Sequence, residues 1–416
     1  MLETANRTAP ASFDVEAVRA DFPILATTVY DRPLVYLDNA ASAQKPCAVI
    51  DAVAHAYAAE YANVHRGLHY LSNRATENYE AARETVRRFL NAKSADEIIF
   101  TKNATEALNL VAQSFGGEVI GEGDEIVLTI MEHHSNIVPW HFHRERRGAV
   151  IRWAPVTDAG ELDLDAFAAL IGPRTKIVAV THMSNVLGTV TPIAEIVRIA
   201  HGHGVPVVVD GSQGAVHTKV DVQDLGVDFY AMTGHKLYGP SGIGVLYGRS
   251  EHLRKMPPYQ GGGEMISEVF TDRITYGDPP QRFEAGTPPI VQAVGLAAAL
   301  DYIESVGRAA IIAHEADLAA YARERLGGLN SLRLIGDAPG KGAIFAFEME
   351  GAHAHDVSMI IDRSGVAVRA GTHCAEPLLA RFGATSTCRA SFGMYNTRAE
   401  VDVLVDALVD CRKFFA

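Results

Sequence analysis

The sequence predicts an α/β fold, with a large domain built on a mainly parallel seven-stranded sheet covered by helices and a smaller α+β domain at the C-terminus. Short β-branched runs alternate with segments whose apolar residues recur at helical spacing, which is typical of parallel sheets with helices on both faces. Beyond about residue 290 the order changes to helices followed by strands. The 416 residues suffice for about two to three domains.

Seven runs rich in Val, Ile and aromatic residues predict the strands of the large sheet: residues 96–102, 124–130, 150–156, 176–182, 205–210, 228–232 and 242–248. Segments between them, such as TPIAEIVRIAHGHG, have the spacing of amphipathic helices. From 259 to 289 glycine and proline interrupt the pattern, which predicts a surface excursion that we interpret as a hairpin.

The C-terminal part begins with two helical segments. Three strand-like runs (GAIFAFEM, GVAVRA and CRASFGM) and a closing helix (TRAEVDVLVDALVDCRKFF) follow. We therefore predict a large domain over residues 31–290 and a small domain over residues 291–416. The N-terminal segment, residues 1–30, is predicted to pack against the small domain through a helix near Asp14.

The composition excludes several classes of protein. A net charge of -13 gives no basic surface for nucleic acid, and no apolar run approaches the length of about 20 residues that a membrane span needs. The four cysteines lack CxxC spacing, and the N-terminus lacks a signal-peptide pattern, so we expect a protein of the reducing cytoplasm. The histidine pairs at 141/143, 201/203 and 353/355 are interpreted as solvated surface residues, and no metal site is predicted.

Polar side chains follow several predicted strands, at the edge where parallel sheets bind ligands. Lys236 stands in a turn after the strand ending at Met232 and suits a buried amine that forms a Schiff base. Asp210 follows a very apolar strand, where an acid needs a cationic partner such as a protonated pyridine nitrogen. Pyridoxal 5′-phosphate (PLP) needs such a lysine and such an acid together. An ordinary surface lysine is the alternative.

Further residues fit the same cofactor. Asn185 follows another predicted strand, where its amide could bond the phenolic oxygen of PLP. His133 also follows a strand, and its imidazole could stack on the pyridine ring and move protons. Ala104 and Thr105 stand at a predicted helix N-terminus, which attracts phosphate, although Thr105 taken alone is better explained as an ordinary helix cap. Thr233 and His235 add a hydroxyl and an imidazole to this set.

The stretch RAGTHCAEP places Cys374 in a loop after a predicted strand. Alone, this cysteine is more readily explained as a small buried apolar residue than as a nucleophile. If it is a nucleophile, Arg369 and His373 are the nearby groups whose positive charge would favour the thiolate.

Eight motifs occur in the order of one known family: YLDNAASAQKP, NVHRGLHYLSNRAT, MEHHSNIVPW, HMSNVLGT, VDGSQ, TGHKLYGPSGIG, RFEAGTP and CRASFGMYNT. From Asp21 to the C-terminal helix the chain resembles the group II cysteine desulfurases, the SufS type of the NifS-like, class V aminotransferase family. The resemblance implies PLP-dependent transferase fold type I.

The resemblance also implies roles for individual residues. Lys236 would be the Schiff-base lysine, Asp210 the partner of the pyridinium nitrogen, and His133 the stacking residue. The remaining cofactor contacts would come from Gln213 and Asn185 at the phenolic oxygen, from Ala104, Thr105, Thr233 and His235 at the phosphate, and from Thr287 at the phosphate of a neighbouring subunit in a homodimer. Substrate would be bound by Arg389, Asn185, His65 and Arg369, and Cys374 would accept the sulfur.

The implied reaction converts L-cysteine to L-alanine and leaves a persulfide on the enzyme, for transfer to an acceptor of the SufE or SufU kind and on to iron–sulfur cluster assembly. The resemblance is also compatible with the related selenocysteine lyase activity. An aminotransferase or β-lyase of the same fold, with Cys374 structural, remains open, as does a non-catalytic scaffold. Thr372 stands where the family often has a second histidine.

Overall fold

The computed structural model describes residues 13–415, and its largest element is a seven-stranded sheet. Its strands are β1 (Ile98–Thr101), β2 (Glu125–Thr129), β3 (Val150–Ala154), β4 (Thr175–Thr181), β5 (Val207–Asp210), β6 (Phe229–Thr233) and β7 (Gly244–Gly248). They lie in the order β1-β7-β6-β5-β4-β2-β3, with only β7 antiparallel to its neighbours. Each strand falls on its predicted run, to within a few residues at the ends.

The strands of this sheet are apolar throughout because both faces are covered. In β5, Val207 and Val209 belong to one apolar core and Val208 to another on the opposite face. Side chains of a strand alternate between faces, so a strand buried on both sides must be continuously apolar. The run that precedes Asp210 therefore reflects its central position in the sheet.

Helices cover the sheets and connect their strands. Those of six residues or more are Val15–Ala20, Cys47–Ala59, Tyr70–Leu90, Ala104–Leu110, Val138–Arg147, Leu164–Leu170, Ile193–Gly202, Ile290–Val306, Arg308–Gly327, Ala354–Asp362, Glu376–Arg381 and Arg398–Arg412. After β1 the helical path continues from Ala104–Leu110 through a π-helical turn, Val111–Phe115, to Gly116–Val119.

The C-terminal part contains a second, four-stranded antiparallel sheet. In chain order its strands are β8 (Leu332–Ile335), β9 (Ile344–Met349), β10 (Arg369–Gly371) and β11 (Thr387–Ser391), arranged β8-β9-β11-β10. The sequence analysis missed β8, a partly exposed edge strand that lacks a continuous apolar run. The GVAVRA run is divided, because Val366–Ala367 pairs with Val35–Tyr36 before β10 begins.

The helix Val15–Ala20 forms where the sequence predicted one, and Asp14 caps it by accepting a hydrogen bond from the Ala17 N–H at 3.1 Å. Arg19 bonds the Glu400 carboxylate at 3.1 Å. Phe22 packs edge-on against Tyr395 with ring centroids 4.7 Å apart. These contacts agree with packing on the C-terminal part; the boundaries at residues 30 and 290 stay a prediction.

The excursion after β7 contains a two-stranded hairpin, Ile266–Val269 with Ile274–Tyr276, as interpreted from the sequence. Within residues 13–415, no single helix is long and apolar enough to cross a membrane, although the bent pair Ile290–Val306 and Arg308–Gly327 passes that test when taken together.

Candidate active site

A cavity of about 530 Å³ opens at the carboxyl ends of β2, β4, β5 and β6 and is closed on one side by the C-terminal sheet. It brings together all but two of the residues that the sequence analysis proposed for the site: Ala104, Thr105, His133, Asn185, Asp210, Gln213, Thr233, His235, Lys236, Arg369, Cys374 and Arg389. The two exceptions are His65 and Thr287, which do not line this cavity.

Lys236 ends a short 3₁₀ turn, Gly234–Lys236, that follows β6. Burial lowers the pKa of its amine from 10.5 to about 8, opposed by the Asp210 carboxylate and reinforced by the Arg389 guanidinium. Asp210 ends β5, and its Oδ1 accepts a hydrogen bond from the Ser212 N–H at 2.9 Å. The site therefore holds an amine that is partly uncharged near neutral pH next to a fixed carboxylate.

His133 lies directly after β2, and its Nδ1 accepts a hydrogen bond from the Ser135 N–H at 3.1 Å. Burial and the Lys236 ammonium lower the pKa of His133 to about 4, so the imidazole is neutral at pH 7. Because Nδ1 is an acceptor, the ring hydrogen is on Nε2. The Ser135 hydroxyl is 2.8 Å from the Thr105 hydroxyl and also lines the cavity. Sequence reasoning missed Ser135, although it belongs to the MEHHSNIVPW motif.

One end of the cavity suits an anion. Ala104 is the first residue of its helix, and Asn103 caps that helix by accepting from the Glu106 N–H at 2.9 Å. The Thr233 hydroxyl is buried there and has no hydrogen-bond partner among the described residues. Burial, with the Lys236 ammonium, lowers the pKa of His235 to about 4, so this imidazole is also neutral. An unpartnered hydroxyl beside a helix start matches a phosphate group.

Gly244 allows the helix that starts at Ala104 to begin close to β7. A Cβ on Gly244, in β7, would lie 2.4 Å from the Asn103 carbonyl carbon and 2.9 Å from the Ala104 nitrogen. Such distances are far below van der Waals contact, so only glycine permits the helix start to approach the strand this closely.

Two arginines and an aspartate form the opposite wall. Arg389, on β11, donates to the Asn185 carbonyl at 3.0 Å and to Asp38 at 3.2 Å. Arg369 donates from Nε and Nη2 to the same carboxylate at 3.1 and 2.9 Å. The Nε of Arg389 is buried without a partner among the described residues. Asp38 was not proposed from the sequence, although it belongs to the YLDNAASAQKP motif.

Two amides in the cavity are held by backbone carbonyls. Gln213 donates from Nε2 to the Ala40 carbonyl at 2.8 Å, and Asn185 donates from Nδ2 to the His373 carbonyl at 2.8 Å. Both side chains are buried. Their positions are therefore fixed by the loops that precede the helix at Cys47 and surround Cys374.

Cys374 is exposed and lines the cavity, whereas Cys388 and Cys411 are buried. His373 and Cys374 have φ angles of 53° and 55°, a left-handed conformation that is costly for consecutive residues other than glycine. Burial and the Arg389 guanidinium lower the pKa of His373 to about 3. The expectation that a charged His373 favours the thiolate is therefore wrong, and Arg369 and Arg389 are the cations beside Cys374 in the cavity.

The two residues outside the cavity are both associated with the excursion 259–289: His65 contacts it, and Thr287 belongs to it. His65 contacts Glu80 at 2.9 Å through Nε2 and Glu264 at 3.8 Å through Nδ1. Thr287 lines a separate cleft with Tyr259 and Glu284. Neither residue reaches the cavity of its own chain.

The interpretation of the histidine pairs as solvated surface residues is wrong for His143. This side chain is buried, and its Nε2 lies 2.7 Å from the Ala112 carbonyl. His201 is partly buried and contacts Asp228 at 2.8 Å. Both histidines have structural partners that a sequence spacing does not reveal.

Comparison with known proteins decides the family of the chain. The model for "Aminotransferase class-V" matches residues 35–404, which is most of the sequence. The chain belongs to the class V aminotransferase family. Class V aminotransferases with this site are PLP-dependent enzymes, and the fold and cofactor predicted from the sequence are thereby confirmed.

Proteins similar to this chain carry the names of cysteine desulfurases. A "Cysteine desulfurase" of Dickeya dadantii is 53% identical over 95% of this chain and 96% of its own length. A "Probable cysteine desulfurase" of Streptomyces coelicolor is 51% identical, covering 98% of this chain and 99% of its own. The solved structure of the cysteine desulfurase CsdA from Escherichia coli has a TM-score of 0.91 and 41% identity, covering 98% of this chain and 100% of that one.

The cavity fits the cofactor of this family. Lys236 and Asp210 can engage its aldehyde and its ring nitrogen, and the helix start with the unpartnered Thr233 hydroxyl can receive its phosphate. The set of residues that lines the cavity is therefore that of a PLP enzyme, with one additional feature, the exposed thiol of Cys374.

Proposed function

We propose that this enzyme is a cysteine desulfurase that converts L-cysteine to L-alanine and leaves the sulfur on Cys374 as a persulfide. The observation that carries the proposal is the position of Cys374, which is exposed in the cavity that also contains Lys236. A structural cysteine would be expected in an apolar core, as Cys388 and Cys411 are. The relatives named above support the same activity.

PLP would be held by contacts at four points. Asp210 would pair with the ring nitrogen, Gln213 and Asn185 would contact the phenolic oxygen, and His133 would cover one face of the ring. The phosphate would be bound by Ala104, Thr105, Thr233 and His235. When bound, the cofactor withdraws electrons from the substrate and so makes its Cα–H and Cβ–S bonds labile.

Lys236 would serve as the base. Its Nζ accepts the proton from the substrate Cα, which requires an uncharged amine, and burial supplies this by lowering the pKa to about 8. The neutral His133 carries a hydrogen on Nε2 in the free cavity. This imidazole would take the proton of the substrate thiol on Nδ1, the nitrogen that carries no hydrogen, and deliver its Nε2 proton to Cβ.

Cys374 would take the sulfur as a thiolate. Its Sγ attacks the substrate sulfur, an S–S bond forms, and the Cβ–S bond breaks with its electron pair moving to carbon. Alanine is complete once Cβ has gained the proton lost by the substrate thiol and Lys236 has returned its proton to Cα, while the persulfide stays on Cys374. Arg389, whose Nε is buried and unpartnered among the described residues, would bind the substrate carboxylate, with Arg369 beside it.

The proposal includes a homodimer in which His65 and Thr287 serve the neighbouring site. Glu264, which lies just before the hairpin strand Ile266–Val269, contacts His65 at 3.8 Å and Arg66 at 3.1 Å. Large apolar side chains are exposed in the same segments: Leu68, Tyr70, Leu71, Val269, Phe270, Ile274 and Tyr276. Exposed apolar groups of this extent are typical of protein interfaces.

Sedimentation equilibrium tests this assembly. The parent is expected at twice the chain mass of 44.8 kDa, and Leu68→Glu, which places a charge on a side chain that is 99% exposed in the single chain, is expected to dissociate more readily. A parent protein that sediments as a monomer would contradict the homodimer.

The same proposal extends to the pathway of the sulfur. We assign the chain to the SufS type, with transfer to an acceptor of the SufE or SufU kind for iron–sulfur cluster assembly in the cytoplasm. Free cysteines at all four positions are compatible with that reducing compartment. Selenocysteine is a further possible substrate, because selenium leaves carbon more easily than sulfur does.

The test compares Cys374→Ser with Cys47→Ser, which changes another exposed cysteine. Cys374→Ser is expected to keep the colour of the bound cofactor and to lose alanine formation from L-cysteine, while Cys47→Ser keeps both. Full alanine formation by Cys374→Ser would contradict the role of the thiol. A requirement for a 2-oxo acid, or turnover of a substrate without sulfur or selenium, would favour the aminotransferase or β-lyase.

A further inference from the structure

Residues 372–376, the cysteine loop, rest on the loop that follows β2. The His134 N–H donates to the Cys374 carbonyl at 2.8 Å, and the His134 Nε2 contacts the Glu376 carboxylate. The Thr372 hydroxyl donates to the same carboxylate at 3.0 Å. Glu376 thereby links both sides of Cys374 to the residue next to His133.

The cysteine loop needs such support. The left-handed backbone of His373 and Cys374 is unfavourable and persists only when surrounding contacts hold it. Two of its contacts are buried: Asn185 donates to the His373 carbonyl, and the His373 Nε2 lies 2.9 Å from the Thr387 hydroxyl. The side-chain contact between His134 and Glu376 is accessible to solvent, with side-chain exposures of 36% and 55%.

We propose that Glu376 is a positioning residue whose pair with His134 holds the cysteine loop closed over the cavity and whose release lets the loop open. Its part in sulfur transfer rests on the function proposed above, whereas the docking of the loop does not. A solvent-exposed contact between two such side chains is weak, so thermal motion or a partner protein can break it at little cost. A thiol that must first face the cavity and then deliver sulfur elsewhere needs a contact of this strength.

Alkylation of Cys374 by iodoacetamide measures loop opening directly, without catalysis. The cofactor-loaded protein is treated in the absence of substrate, and labelling of the Cys374 and Cys47 peptides is followed by mass spectrometry. Glu376→Ala is expected to speed labelling of Cys374 about two- to fivefold, the effect of losing an exposed ion pair on an opening equilibrium, and to leave Cys47 unchanged. Glu376→Gln, which keeps a hydrogen-bond acceptor, is expected to fall between parent and Glu376→Ala.

The matched control is Glu195→Gln, which removes the carboxylate of another exposed pair, with Arg198, on a helix away from the cavity. It is expected to label like the parent. Because Glu376 and His134 act together, Glu376→Ala combined with His134→Ala is expected to label no faster than the faster single variant. Unchanged labelling of Cys374 in Glu376→Ala, or fully additive effects in the double variant, would overturn the inference.

Removal of a negative charge could also change the reactivity of the thiol itself. An altered thiol would move the midpoint of the labelling rate against pH, whereas opening raises the rate by the same factor across that range. We expect an unchanged midpoint and a raised plateau. A moved midpoint with an unchanged plateau would overturn the proposal.

Turnover separates this inference from the proposed function. Glu376→Ala is expected to lower kcat for alanine formation by a smaller factor than it raises labelling, with KM unchanged, because a loop that is mostly closed loses little of its closed population when opening becomes more frequent. Faster labelling of Cys374 in Glu376→Ala, together with full activity of Cys374→Ser, would uphold the docking contact and reject the function. Unchanged labelling of Cys374 in Glu376→Ala, together with an inactive Cys374→Ser, would reject the docking contact and uphold the function.

Discussion

The turn of Lys236 and the loop of Cys374 face the same cavity and are built in opposite ways. The lysine turn directly follows a fully buried strand of the large sheet. The cysteine loop exposes its thiol, is left-handed at two residues, and is held by residues distant in sequence, Asn185 and His134. The difference matches two tasks: a cofactor must stay fixed, whereas a thiol that passes sulfur onward must be able to leave.

The largest expected loss of activity comes from a change in the lysine turn. Lys236→Ala removes the amine that carries the Cα proton, so alanine formation from L-cysteine is expected to fall by about 10²- to 10⁴-fold. Alanine is quantified by chromatography, with the exposed Lys413→Ala as the control. Activity close to that of the parent would mean that the catalytic amine lies elsewhere.

Asp210→Asn keeps the shape of a buried side chain and removes its charge. The ring nitrogen of the cofactor would lose its ionic partner, so kcat is expected to fall by about 10²-fold. Asp278→Asn, at an almost fully exposed position, is the control. Equal kcat for the two variants would contradict the pairing of Asp210 with the cofactor.

Gly244→Ala tests whether the phosphate end is as tightly built as the structure indicates. The added Cβ would lie 2.4 Å from the Asn103 carbonyl carbon, so the helix start must shift. Overpacking of this kind costs about 1–3 kcal/mol, and cofactor affinity is expected to fall roughly tenfold, measured by absorbance titration of the cofactor-free protein. Gly261→Ala, with no atom within 4 Å of the new Cβ, is expected to bind like the parent.

A pH series gives the most gradual effect. Only an uncharged amine reacts with the cofactor, and burial lowers the pKa of Lys236 to about 8. In the cofactor-free protein the rate of cofactor uptake is therefore expected to rise with pH up to about 8 and to level off above it. A rate that continues to rise towards the ordinary lysine pKa would show that the amine is not desolvated.

These two regions also differ in how far the sequence could predict them. The strands, the turn of Lys236 and the acid of Asp210 follow from local patterns, because a buried parallel strand must be apolar and its end must carry the ligand-binding groups. The edge strand β8 was not predicted, because its partial exposure leaves no continuous apolar run in the sequence. Ser135 and Asp38 were not predicted as site residues, because their hydrogen-bond partners come from other parts of the chain.

The environment of Cys374 lay furthest from what the sequence could predict. Its neighbour His373 looked like a source of positive charge, yet burial keeps that imidazole neutral, and the cations come from Arg369 and Arg389. Burial and contacts across the cavity are tertiary properties. The family resemblance, and no local rule, raised Cys374 above the ordinary expectation for a cysteine.

The central claim is that the exposed thiol of Cys374 receives the sulfur, and peptide mass spectrometry tests it most directly. The cofactor-loaded protein is given L-cysteine without reductant, persulfides are trapped by alkylation, and the peptides of all four cysteines are compared. We predict one added sulfur atom on the Cys374 peptide, in step with alanine formed, and none in Lys236→Ala. Alanine formation with no sulfur on Cys374, or with sulfur on Cys47 instead, would contradict the account.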